Sequence, residues 1–153
     1  MPIYLLFNLQ SYSDRKGTRD EGRGTKRIIK MKDNLDNNHF YKMSLELWDD
    51  FWNDSEVLLK DVRGKEIARQ LTRSVGSISA NIAEGYGRGF GKEYPHFLRI
   101  SRASARETKG WYTKSKFLLP QIEIENRTKK LDSIIAMLTK SIQTLEGKGR
   151  TGR

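Results

Sequence analysis

RQLTRSVGSISANIAEGYGR, residues Arg69 to Arg88, is an amphipathic stretch rich in small polar residues that ends in glycines. Ile67, Leu71, Ile78 and Ile82 recur at the three-to-four-residue spacing that puts them on one face of a helix, with Val75 at its margin. Beside that face run Ser74, Ser77 and Asn81, short enough for another helix to come close, while Arg69 and Arg73 point away. Gly85, Gly87, Gly89 and Gly91 then alternate. Glycine weakens a helix, so the spacing predicts a helix from Lys65 to about Glu84 and a turn after it.

Three more helical periods surround this one. From about Phe40 to Lys60, Met43, Leu47, Phe51, Val57 and Leu58 form an apolar face, Trp48 and Trp52 broaden it, and Asp49, Asp50 and Asp54 take the opposite side. Two tryptophans one turn apart are expected to pack in the core or against another subunit. From about Lys92 to Phe117, Tyr94, Phe97, Leu98, Ser101, Ala105, Thr108 and Tyr112 share one face, and Pro95 is tolerated because it falls in the first turn. Ile100, Trp111 and Leu118 make a second apolar strip, and Arg99, Arg102, Arg106 and Lys109 a third, basic one. The extra apolar strip is expected to be an oligomer interface. From about Glu123 to Leu145, Leu131, Ile134, Ile135, Leu138, Ile142 and Leu145 repeat in a heptad-like pattern that closes a bundle.

The 153 residues suit one domain. The division expected is a disordered basic extension over 1–37, a four-helix bundle over 38–146 and a mobile basic tail over 147–153. The extension is polar and aperiodic. Two readings of it stand: a segment upstream of a natural start at Met31, or a basic arm that folds on RNA. With no cysteine, disulfides, thiolate metal sites and cysteine nucleophiles are excluded. No apolar run reaches the length of a membrane span, and MPIYLLFNLQ lacks the parts of a secretory signal, so a cytoplasmic protein with no membrane association is expected. A net charge of +10, spread along the chain, raises the odds of a polyanionic partner such as nucleic acid; a solvated basic surface is the plain alternative.

With SANIAEGYGR, then EYPHFL, then the long third helix in view, the chain resembles a bacterial four-helix-bundle family whose members include proteins encoded in intervening sequences of 23S ribosomal RNA genes, with relatives among accessory proteins of diversity-generating retroelements. The likeness covers about residues 40–146. It rests on Asn81, Ile82, Ala83, Glu84, Gly85, Gly87 and Arg88 at the turn, and on Glu93, Tyr94, Phe97 and Leu98 opening the third helix. Gly89, Phe90, Gly91 and Pro95 depart from the family's usual residues, and the N-terminal segment has no counterpart in it. The resemblance implies an all-α, up-down-up-down four-helix bundle assembled as a ring-like homopentamer, with no catalytic residues and with RNA or other nucleic acid as the usual inferred partner.

The candidate chemistry is correspondingly one of binding. Alternating glycines after a helix, with no following lysine and serine or threonine, do not make a phosphate-binding loop of the nucleotide-hydrolase kind. Glu84 and Arg88 are close enough in sequence to pair and fix the turn. His39 and His96 have no metal-ligating company, and neither metal nor cofactor is expected. Arg88, Lys92, Arg99, Arg102, Arg106 and Lys109 form the nucleic-acid candidate, with Tyr86, Phe90 and Tyr112 available to stack on unpaired bases. A second class of function stays open: a protein-interaction scaffold, for instance for a reverse transcriptase, without direct nucleic-acid contact.

Overall fold

A computed structural model describes residues 34–89 and 91–148. The expectations for residues 1–33, for Phe90 and for 149–153 lie outside the described residues. A short 3-10 turn, Asn34–Asn37, leads into four helices: α1 (His39–Leu58), α2 (Val62–Gly87), α3 (Glu93–Lys114) and α4 (Gln121–Lys148). Another 3-10 turn, Ser115–Phe117, ends α3. Among the described residues there is no strand. Each helix packs on its neighbours in chain order and α1 meets α4, which closes an up-down-up-down bundle.

Local chemistry sets the helix ends. Asn38 caps α1 by accepting a bond from the Tyr41 N–H at 3.2 Å, and Asp61 caps α2 through the N–H groups of Arg63 and Gly64. In α3, Glu93 favours the positive end of the helix dipole, and Pro95 sits in the first turn, where its missing N–H breaks no bond. Gly89, at φ 94°, turns the chain out of α2.

The core follows the predicted periods closely on α2, α3 and α4. Leu71, Val75, Ile78 and Ile82 are fully buried, so Val75 belongs to the centre of the face. Leu98, Ser101, Ala105, Thr108 and Tyr112 face them, and Leu131, Ile134 and Leu138 complete the layer. Full burial of each large aliphatic side chain contributes about 1.5–3 kcal/mol. The Ser101 hydroxyl donates to the Ile78 carbonyl at 2.9 Å, and the Ser77 and Ser104 hydroxyls meet at 2.9 Å, so small polar residues do let α2 and α3 approach.

Four expectations are corrected. The 3-10 turn Asn34–Asn37 falls inside the segment expected to be disordered, and its Leu35 is buried against the bundle. On α1 the buried line is Phe40, Ser44, Leu47, Phe51, Asp54 and Leu58; Asp54 is inside and Val57, one residue before Leu58 on the helix, is largely exposed. The second helix runs on through Gly85 and Gly87. A β-carbon on Gly85 would lie 2.6 Å from Cβ of Phe97, so the glycine at this position is required by the close crossing of α3. Finally, α4 continues to Lys148, past the expected start of the tail.

Candidate nucleic-acid interface

The basic strip of α3 lies along its border with α4, because antiparallel packing brings the strip beside a line of polar α4 residues. Arg99 pairs with Glu146, Lys109 with Asp132 at 2.6 Å, and the half-buried Arg102 donates to the Thr139 hydroxyl at 3.2 Å. Arg106 is exposed and has no hydrogen bond or ion pair among the described residues. The strip is therefore one face of charge in which the two end residues are already neutralised. Exposed pairs of this kind are worth about 0.2–1 kcal/mol each.

At the turn, the family motif is brought together. Arg88 pairs with Glu84 at 2.7 Å and with Glu93 at 3.4 Å, and its guanidinium lies 5.0 Å from the Phe97 ring centre. Glu84 first, through a hydrogen bond and its charge, raises the Arg88 pKa. The local pair expected for Glu84 and Arg88 is thus present. Asn81 donates to the Ser77 carbonyl at 2.7 Å, Gly85 is buried, and Gly87 is exposed. Lys92 is exposed one residue before α3.

Not every candidate is available to a ligand. Tyr112 is fully buried, and its hydroxyl donates to Asp54 at 2.8 Å, so it cannot stack on a base. Burial first, and the Asp54 charge next, push its phenol well above the usual tyrosine range. Tyr86 is half-buried and packs edge-on against Tyr94. Of the expected interface residues, Ile100 is 37% exposed, whereas Trp111 and Leu118 are half-buried against the core. Lys114 lies over the Trp111 ring at 4.0 Å.

Sequence reasoning missed a polar cluster that joins three helices. Arg127 of α4 donates through Nε to Asp54 at 2.9 Å and also pairs with Asp50 and Glu123; Lys130 pairs with Asp50 at 2.6 Å. Burial works against the Arg127 charge, and the Asp54 hydrogen bond and charge outweigh it, leaving the guanidinium raised. The available signal was the place of Asp54 at the four- and three-residue steps of the buried α1 line.

Among the described residues no group of three or more histidines or carboxylates is placed to hold a metal ion, and no helix is long and apolar enough to cross a membrane. Comparison with curated proteins gives no match. A crystal structure of a protein of unknown function from the S23 ribosomal protein family of Bacteroides thetaiotaomicron has the same fold, with a TM-score of 0.62 and 22% identity over 68% of this chain and 98% of that one. The sequence profile of the 23S rRNA-intervening sequence proteins matches residues 36–140, which span the 3-10 turn, α1 to α3 and most of α4. A bundle of this order, carrying the glycine turn and its Glu84–Arg88 pair, belongs to the 23S rRNA-intervening sequence protein family.

Proposed function

We propose that the protein is a non-catalytic, cytoplasmic scaffold that binds RNA through the basic edge of α3, repeated around an oligomeric ring that the resemblance puts at five subunits. The observation that carries this reading is the line of Arg99, Arg102, Arg106 and Lys109 along one outer face, with Arg106 unpaired among the described residues and Arg102 held only by a neutral hydroxyl. Arg88 and Lys92 extend the line toward the start of α3. Guanidinium groups bind phosphate by paired hydrogen bonds, and each contact releases counterions. Repetition around a ring multiplies a weak, sequence-tolerant contact.

Fluorescence polarisation with single-stranded RNA, structured RNA and duplex DNA at low and physiological salt tests it. Binding should fall steeply with salt, and the Arg102→Gln, Arg106→Gln double variant should lower the slope of log affinity against log salt by about 1.4 for single-stranded RNA. Unchanged affinity in that variant removes this surface. A second reading, a scaffold for a protein such as a reverse transcriptase, is favoured by the carboxylate partners that Arg88, Arg99 and Lys109 already have. It predicts capture of that partner with little dependence on salt and no RNA binding.

A further inference from the structure

The basic line of α3 does not stop at Lys109. The same three- and four-residue steps carry it to the exposed Thr113 and Lys116, and the next residue is Phe117, in the 3-10 turn that ends the helix. At 85% it is the most exposed of the large apolar side chains among the described residues. The backbone on either side of it is fixed. Ser115 is fully buried and its hydroxyl donates to the Trp111 carbonyl at 2.9 Å. The N–H groups of Leu118 and Leu119 both donate to the Ser115 carbonyl at 2.9 Å, and Leu119 is buried. A turn anchored in the core thus holds Phe117 outward, with Lys116 Nζ 5.1 Å from its ring centre.

We infer that Phe117 is a stacking platform for an unpaired base, so that the basic strip takes single-stranded RNA in preference to duplex; this rests on the RNA reading above and names the substrate of that same site. Arginine and lysine hold phosphates of either form and do not tell them apart. In a duplex each base face is covered by its neighbours, whereas an unpaired base has a face that an aromatic ring can cover. Among the Phe, Tyr and Trp residues of α3 and the turn that ends it, Phe117 alone is exposed. Tyr112 is inside the core, and Trp111 is half-buried with Lys114 over its ring. Lys114 and Lys116 have no carboxylate partner among the described residues, so the charges nearest Phe117 are free to meet phosphate. From Arg106 to Lys116 the line runs about 15 Å at the helical rise. A strand laid along it meets charge first and the ring at its end.

Fluorescence polarisation of the full 153-residue chain tests it, with an unstructured single-stranded RNA and a duplex RNA of the same length as probes. Phe117→Ala and Phe117→Leu should each weaken binding of the single strand about 10-fold. Both should leave duplex binding and the salt dependence unchanged, because no charge is lost. Phe117→Tyr, which keeps a ring, should bind the single strand as the wild type does. Far-UV circular dichroism should be the same for all, since the side chain lies outside the core. Full affinity in Phe117→Leu, or an equal loss on both probes, overturns stacking. If the Arg102→Gln, Arg106→Gln variant loses affinity and the Phe117 variants do not, the basic strip stands and the platform falls. A wild type that binds neither RNA overturns both.

Discussion

Asp54 shows how one carboxylate can occupy a line of core positions. It is 5% exposed, and it is tolerated there because the Tyr112 hydroxyl and the Arg127 guanidinium both donate to it. An unpaired charge at that depth would cost several kcal/mol. The same bond keeps the Tyr112 phenol neutral, since its ionisation would set two negative charges side by side. The sign of the pH dependence follows. Below about pH 10 neither the folded nor the unfolded chain ionises this phenol, and its contribution is complete. Above that, the unfolded chain gives up the proton and the folded chain keeps it, so stability falls by about 1.4 kcal/mol per pH unit from this group alone. Tyr112→Phe should reduce this alkaline loss, as measured by urea unfolding at a series of pH values from about 9 to 11. Equal slopes in the two proteins would show that the phenol is not held in this way.

At the scale of the helix, the two glycines at the end of α2 differ in what surrounds them. A β-carbon on Gly85 meets Phe97 and Tyr94, whereas one on Gly87 meets nothing within 4 Å. Alanine favours a helix over glycine by about 1 kcal/mol. Gly87→Ala is therefore expected to be neutral or stabilising by up to that amount, and Gly85→Ala to destabilise by about 1–3 kcal/mol through overpacking. Urea unfolding of both variants distinguishes them. The sequence period alone treats these glycines alike, which is why the helix was expected to stop short. Periodicity read α3 and α4 well because their apolar residues repeat without interruption. It misplaced Asp54 and Val57 on α1 because the partners that admit Asp54 are 58 and 73 residues further along the chain. The basic strip was legible as a line on one helix. Its pairing with Asp132 and Glu146 was not, because it depends on how far α4 is slid along α3.

For the molecule as a whole, the connections at 59–61, 88–92 and 118–120 are short, and each joins helices that pack side by side. Short closures of this kind carry little entropic cost and favour rapid folding. The up-down-up-down path has a further result. Asn38 and Phe40, at the start of α1, line the same pocket as Thr144 and Leu145, near the end of α4. The bundle's beginning and end are thus neighbours in space, and the order in which the helices are strung together is only one of several that would give the same packing. A circular permutant that links 148 to 34 through a short flexible bridge and opens the chain at 118–120 keeps every helix and the buried Leu35. It should fold to the same helicity with a modest loss of stability, checked by circular dichroism and thermal melting.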